Sequence, residues 1–240
     1  MKKRYKVLII ITSVILLLSL VLFFWLNDYY KATTDVNDYL TSTDKIEIFK
    51  DENNYLTFKP ENPTSAIIFY PGGKVDSLAY APLMFELAEN GFLTILIKMP
   101  FNLAVFDINA ASKVRDLYPN INNWYLSGHS LGGSMAASHL ANNSDKYQGL
   151  ILLGSYSTKD LSNLDIKTLS IYGENDNVLN KTNYNKYITN LANLEELVIE
   201  GGNHANFGYY GNQKGDGISI ITRQEQIKLT IDFIVNNIKK

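Results

Sequence analysis

A serine set among glycines, Gly128-His129-Ser130-Leu131-Gly132, follows the short apolar run Trp124-Tyr125-Leu126-Ser127 and precedes an Ala-rich helical stretch. A G-x-S-x-G pentapeptide between a strand and a helix predicts a nucleophile elbow, a turn so tight that only glycine leaves room two residues either side of the serine. Such a turn lifts one hydroxyl to the rim of a sheet. A serine hydroxyl is a weak nucleophile near neutral pH and needs an adjacent base. Histidine suits that task, because its pKa lies near neutrality. The chain has three histidines, so elimination is possible. His129 sits beside Ser130 inside the turn and cannot fold its ring onto the neighbouring hydroxyl. His139 lies nine residues further along the helical stretch, about 13 Å away by helical rise. His204 remains, in the loop Gly201-Gly202-Asn203-His204-Ala205-Asn206. A histidine in a loop is commonly a plain surface residue; with the elbow present, the base is the better reading.

An acid that orients His204 should come between the serine and the histidine in the chain. Asp176, in Tyr172-Gly173-Glu174-Asn175-Asp176, is best placed, 46 residues after Ser130 and 28 before His204. Glu174 is its main competitor and otherwise reads as a solvated loop charge; Asp160 and Asp165 come third. The developing oxyanion needs donors as well. One is the backbone N–H of Leu131, the residue after the serine, and the second is expected from the loop Pro71-Gly72-Gly73-Lys74. Gly73 is the choice there, with Lys74 next; the same Pro-Gly-Gly also serves as a strand-ending turn. Ser134, Met135, Ala136 and Ala137 read as a small-residue face that lets a helix pack closely.

Elements that could hold these residues are legible around them. Lys45–Phe49 and Tyr55–Lys59 flank a turn-rich Asp51-Glu52-Asn53-Asn54 and predict an antiparallel hairpin. Six short apolar runs follow: Ala66–Tyr70, Leu93–Lys98, Trp124–Ser127, Leu150–Leu153, Thr168–Tyr172 and Glu195–Glu200. Helical patterns lie at Ala79–Asn90, Asp107–Tyr118, Leu131–Asn142, Asn183–Leu191 and Thr222–Ile238. Strands alternating with helices predict an α/β fold, a mostly parallel sheet covered on both faces. Ser130, Asp176 and His204 each follow a strand, and ligand sites of such sheets lie at the carboxyl ends of the strands.

The ends of the chain carry other information. Residues 1–6 are basic, and residues 7–26 form an uncharged apolar run spanning about 30 Å as a helix, the thickness of a bilayer's hydrocarbon core. Phe23, Phe24, Trp25, Tyr29 and Tyr30 fall where an interfacial aromatic belt belongs. Cations only on the N-terminal side place that end in the cytoplasm and the rest outside: a single-pass cell-membrane protein with an extracytoplasmic domain. The rival is a cleaved signal peptide, whose apolar core is shorter and ends in a small-x-small site that Trp25–Tyr30 does not offer. Residues 27–43 read as a tether and 44–240 as one domain. The whole chain has 22 basic and 24 acidic side chains; without the four N-terminal cations the balance is 18 to 24, or −6. That balance argues against nucleic acid as a partner. The absence of cysteine removes disulfides, Cys-based zinc sites and thiol nucleophiles.

From Ala66 to the C-terminus the chain resembles the α/β-hydrolase superfamily. The resemblance rests on Phe69-Tyr70-Pro71-Gly72-Gly73, Tyr80-Ala81-Pro82-Leu83, Gly128-His129-Ser130-Leu131-Gly132-Gly133, Tyr172-Gly173-Glu174-Asn175-Asp176 and Gly202-Asn203-His204. Small bacterial members of the dienelactone-hydrolase-like type are the most similar. The resemblance implies a Ser130–Asp176–His204 triad and no cofactor. Two departures are visible. The oxyanion loop begins Pro71-Gly72, where many relatives have His-Gly, and dienelactone hydrolases proper use a cysteine nucleophile, so their substrate is not carried over. Leu153 to Thr168 is too short for a helical cap, which leaves an open site that Leu78, Tyr80, Phe101, Phe106, Tyr156 and Phe207 could line. The expected partners are a small-molecule ester or acyl substrate and, through residues 7–26, the membrane. Carboxylic ester hydrolysis is the first expectation. A cell-envelope acyltransferase or peptidase using the same triad, and a non-catalytic binding protein on this scaffold, are the alternatives.

Overall fold

The computed structural model describes residues 3–238, so the first two residues of the basic end and the last two of the 44–240 unit lie outside it. Strands β1 (Ile46–Lys50) and β2 (Leu56–Pro60) form the antiparallel hairpin. Asp51 closes its turn, with Oδ1 accepting from the amides of Asn53 and Tyr55. From β3 (Ser65–Tyr70) the chain alternates through α2 (Ala81–Glu89), β4 (Leu93–Leu96), β5 (Asn123–His129), α3 (Leu131–Leu140), β6 (Gly149–Leu153), β7 (Lys167–Gly173), α4 (Lys181–Tyr187), β8 (Leu194–Ile199) and α5 (Arg223–Asn237). The eight strands make one sheet in the order β1-β2-β4-β3-β5-β6-β7-β8. β2 runs antiparallel to β1 and β4; every other pair is parallel. The chain leaves β3 for one side of the sheet and β5 continues on the other. The loops after these two strands therefore face each other across a topological switch point, where such sheets place ligands.

β3 is buried along its whole length, and its side chains divide between the two faces. Ala66, Ile68 and Tyr70 pack with Ala136, Ala137 and Leu140 of α3. Ile67 and Phe69 pack with Leu83 and Leu87 of α2 and Ile227 and Ile231 of α5. Burial of each large apolar side chain contributes about 1.5–3 kcal/mol, so a strand covered on both faces is held firmly in register. Of the residues expected to permit close packing, Ala136 and Ala137 are buried, with Gly132 and Gly133 ahead of them, while Ser134 and Met135 are half-buried. A capping box, Thr222 with Glu225, starts α5 and fixes where Gln226 enters the interior. No helix interrupts the β6–β7 connection among the described residues, so there is no cap.

Two stretches differ from expectation. Asp107–Tyr118, predicted as a helix, holds only the short 3-10 turns Ala110–Lys113 and Arg115–Leu117. The backbone groups a helix would use are taken by side chains and tertiary partners. The Tyr70 hydroxyl donates to the Ile108 carbonyl at 2.7 Å and accepts from the Ala111 amide at 2.9 Å. Residues 27–43, expected as a tether, are mostly exposed but are bonded to the domain at several points. Tyr30 pairs with Val75 as a parallel bridge, the Thr33 amide donates to the Tyr209 carbonyl, and Val36 is buried in the core. The apolar and aromatic residues scattered among this segment's charges give it surface to bury. Ahead of it, α1 (Lys3–Asn27) covers the apolar run and packs none of that run inside the domain; by length and composition it is a candidate membrane span.

Candidate active site

Ser130 occupies the single residue between β5 and α3, at φ 53° and ψ −124°. This sparsely populated conformation costs about 1–3 kcal/mol and must be held by its surroundings. The Ser130 amide donates to the Leu153 carbonyl at 2.9 Å, and its carbonyl accepts from the Ser155 hydroxyl at 2.7 Å. The flanking glycines are required by space. A Cβ on Gly128 would lie 2.6 Å from the Gly133 nitrogen, and one on Gly132 would overlap the carbonyl oxygens of Tyr70 and Pro71. The first turn of α3 thus rests directly on the end of β3.

The other two candidates come from strand ends on the same edge. His204 and Asp176 are each 1% exposed, and Nδ1 of His204 lies 2.7 Å from Oδ2 of Asp176. The second carboxylate oxygen, Oδ1, accepts from the amides of Val178 and Leu179 at 2.9 and 2.7 Å. Both oxygens are therefore committed, which fixes the carboxylate plane. With its proton on Nδ1 facing Asp176, His204 presents Nε2 as an acceptor. Nε2 is buried and has no hydrogen-bond partner among the described residues. Ser130 and His204 line one cavity of about 240 Å³, together with Leu131, Tyr156, Val178 and Leu179. No three His, Asp or Glu side chains among the described residues are grouped so as to hold a metal ion.

Leu131 opens α3, so its amide has no partner within the helix and lies at the positive end of the helix dipole. In the facing loop, the Gly72 amide donates to the Tyr80 hydroxyl and the Lys74 amide to the Asn102 carbonyl. The Gly73 amide has no partner among the described residues. Gly73 also lies against Leu131: a Cβ there would meet the Leu131 side chain at 2.8 Å. Of the two residues expected as the second donor, Gly73 thus keeps its amide unpartnered among the described residues and Lys74 does not.

The remaining histidines have other tasks. His139 bonds Asn109 and Tyr147 on the far side of α3. His129 is fully buried, with its ring 4.3 Å from that of His204, centroid to centroid. The Tyr80 hydroxyl accepts from Gly72, so its own proton goes to His129 Nδ1 at 2.8 Å, which puts the His129 proton on Nε2. Burial first, and the His204 ring second, hold the His129 pKa well below its usual value. A neutral ring is thereby kept beside that of His204.

Several expectations about neighbours change. Tyr80 and Phe207 are fully buried core residues, while Leu78 and Phe101 line a separate groove with Tyr29. Of the residues expected to line the site, Tyr156 alone shares the Ser130 cavity. Glu174 is exposed but braces the next loop, accepting from the Gly201 amide at 3.0 Å. Two contributors had no sequence pattern to reveal them. Asp216 accepts from the amides of His204 and Ala205 at 3.2 and 2.8 Å and so pins the histidine's backbone. Gly154, at φ +50°, lies under the His204–Asp176 pair, where a Cβ would stand 2.9 Å from His204 Nδ1 and 3.0 Å from Asp176 Oδ2. Its place at the end of β6 was the one available hint.

Gly154→Ala should therefore displace the pair without opening the core. The rate at which a fluorophosphonate labels Ser130 should fall on the order of 10²-fold, as for an ångström-scale misplacement. A labelling rate equal to wild type would mean that the pair tolerates the methyl group. His129 gives a second prediction. The unfolded chain binds a proton below its ordinary pKa that the folded chain excludes, so stability should fall as pH drops below about 6.5. The slope from this one group approaches about 1.4 kcal/mol per pH unit. Denaturant midpoints from pH 7 to pH 5 should show that slope in wild type and a shallower one in His129→Asn.

The protein-family model described as "Alpha/beta hydrolase family" matches residues 66–228. No curated protein sequence matches the chain. Among solved structures, the chain is similar to a predicted CIB-like hydrolase from Thermoplasma acidophilum, with a TM-score of 0.55 and 18% identity, over 80% of this chain and 98% of that one. It is similar also to a dienelactone hydrolase from Anabaena variabilis, with a TM-score of 0.59 and 15% identity, over 81% of this chain and 100% of that one. At these identities the two structures speak for the fold, an eight-stranded, mostly parallel sheet flanked by helices. The match to the family model spans the elbow, the Asp176 loop and the His204 loop, and the chain belongs to the alpha/beta hydrolase family.

Proposed function

We propose that the chain is a membrane-anchored serine hydrolase, most simply a carboxylic ester hydrolase, that works through Ser130, His204 and Asp176. The observation that carries the reading is the Asp176–His204 pair, with its free Nε2 on the cavity that Ser130 lines. His204 takes the Ser130 proton as Oγ bonds to the substrate's acyl carbon. The negative charge that develops on the carbonyl oxygen is met by the amides of Leu131 and Gly73; one such donor is worth about 2.7–4 kcal/mol in comparable sites. The acyl carbon's bond to the alcohol oxygen then breaks, and the alcohol leaves with the proton from His204. Water repeats the sequence on the acyl-serine, giving the carboxylic acid and free Ser130. Asp176 holds the ring's tautomer and stabilises the imidazolium while it exists. The scheme needs no cofactor.

Replacing Ser130 with alanine should lower turnover of an aryl ester by about 10⁴ or more. Asp176→Asn should cost about 10⁴, while Glu174→Gln, which keeps an acceptor for the Gly201 amide, should cost little. Substantial turnover in His204→Gln would remove His204 from the mechanism.

Anchoring through α1, with the domain outside the cell, follows from the one-sided cations and the apolar run. What supports retention of α1 is the seating of Tyr30 on Val75, which a cleavage near Asn27–Lys31 would undo. The full-length chain should fractionate with membranes and be digested by protease added to intact cells. A soluble product beginning near Lys31 would instead establish signal cleavage.

A further inference from the structure

The exit from α1 is built into the rim of the candidate active site. The helix ends at Asn27, and Tyr30, three residues on, is already paired with Val75. The Tyr30 amide donates to the Lys74 carbonyl at 2.8 Å, and the Asp76 amide donates to the Tyr30 carbonyl at 2.9 Å. Lys74 Nζ reaches back to the helix end, 3.3 Å from Asp28 Oδ2 and 4.7 Å from the centre of the Trp25 ring. On the other flank, the Tyr30 hydroxyl accepts from the Lys214 amide, in the loop that carries Asp216. The residue after Gly73 thus touches the last turn of the apolar helix. A bilayer spanned by α1 ends within a side chain's length of the oxyanion loop.

The exposed apolar residues fall on the same edge. Outside α1, the exposed large apolar side chains among the described residues are Phe101, Val105, Phe106, Val198, Ile218, Ile220 and Leu229. Five of these seven lie in loops at the carboxyl ends of the strands. Phe101 and Phe106 stack edge to face, 5.7 Å apart, on the loop that Lys74 holds through the Asn102 carbonyl. Phe101 shares a groove with Tyr29. Ile218 and Ile220, 85% and 77% exposed, flank the His204 side, where they are joined to the Asn175 side chain and to Gly201. Aromatic and aliphatic side chains on both sides of a site, continuous with a spanning helix, fit the interfacial zone of a bilayer.

We infer that this edge lies on the membrane that α1 spans, and that the substrate is the fatty-acyl ester of a lipid in that membrane. The inference rests on the serine-hydrolase reading above and names its substrate class. The chemistry is unchanged: the lipid's ester C–O bond breaks, water supplies the oxygen of the released fatty acid, and the lipid alcohol keeps the proton. The bilayer itself presents the ester carbonyl to the cavity, which would make a cap unnecessary.

The test uses the full chain reconstituted in phosphatidylcholine vesicles that contain a fluorogenic long-chain acyl ester, with a water-soluble aryl butyrate as the second substrate. The vesicle-borne ester should be cleaved about tenfold or more faster in the protein's own vesicles than in separate, protein-free ones. Phe101→Ser combined with Phe106→Ser, Ile218→Ser and Ile220→Ser should slow lipid-phase cleavage about tenfold, given the apolar area withdrawn from the bilayer. Cleavage of the butyrate should stay within about twofold, which also reports that the variant is folded. The chain has no cysteine, so Phe106→Cys can carry a single environment-sensitive dye. Its emission should shift to the blue and be quenched by lipid-borne nitroxides, while the same dye at Glu61→Cys, on the opposite edge, should not respond. Equal cleavage of the vesicle ester by wild type and variant, with the butyrate still turned over, would overturn the membrane inference and leave the hydrolase reading standing. So would a blue shift that appears only at high protein density without nitroxide quenching, which assigns the edge to a second copy of the chain. No turnover of either substrate and no fluorophosphonate labelling of wild type would overturn the hydrolase reading itself.

Discussion

Everything at the candidate site depends on the contact between the first turn of α3 and the end of β3. Gly132 lies so close to the carbonyls of Tyr70 and Pro71 that a single methyl group would overlap them. That approach brings the Leu131 amide beside Gly73 and forces Ser130 into its sparsely populated backbone conformation. The strain is sustained because both partners are anchored elsewhere, β3 by burial on both faces and α3 by its alanine face on the sheet. Close packing of small residues thus supplies the energy that holds one hydroxyl out of its relaxed position.

A second constraint is electrostatic. The rings of His129 and His204 lie 4.3 Å apart, centre to centre, and two charged imidazoles at that distance would oppose each other. Burial first, and the neighbouring His204 ring second, hold the His129 pKa well below its usual value, and of the two rings only that of His204 has a carboxylate beside it. The Tyr80 hydroxyl bonds the His129 ring and also holds the Gly72 amide. One tyrosine therefore connects the oxyanion loop to the ring that packs against the candidate base. Neither the Gly72 amide nor the Lys74 amide remains free, and that leaves the Gly73 amide as the unpartnered one in this loop.

The strands and the elbow were legible in the sequence because they are repeated local signals: apolar runs bounded by turn residues, and glycines at fixed spacing around Ser130. The placing of Ser130, Asp176 and His204 was legible for the same reason, since each residue follows its own strand. What escaped was set by contacts between distant segments. The 107–118 stretch has a helical pattern, yet Tyr70, nearly forty residues earlier, binds its backbone and stops the helix. Glu174 looked like a free charge, but its role depends on where Gly201 lies. Gly154 and Asp216 carry no motif, because their task is defined only by where the His204–Asp176 pair ends up.

The segment 28–33 shows the same effect with a larger consequence. Its charges suggest solvent, and a polar linker of that length would ordinarily let a domain turn freely above its anchor. Two backbone hydrogen bonds to Lys74 and Asp76 and one side-chain bond to the Asp216 loop remove that freedom. Ordering such a segment has an entropic cost of about 1–2 kcal/mol per residue, which these bonds and the partial burial of Tyr29 and Tyr30 must offset. A linker that only had to keep a domain near a membrane would have no need to meet it. On the membrane-anchored reading proposed above, a linker that also set which edge of the sheet faces the bilayer would, and the edge this segment is bonded to is the one that carries Ser130, His204 and Asp176.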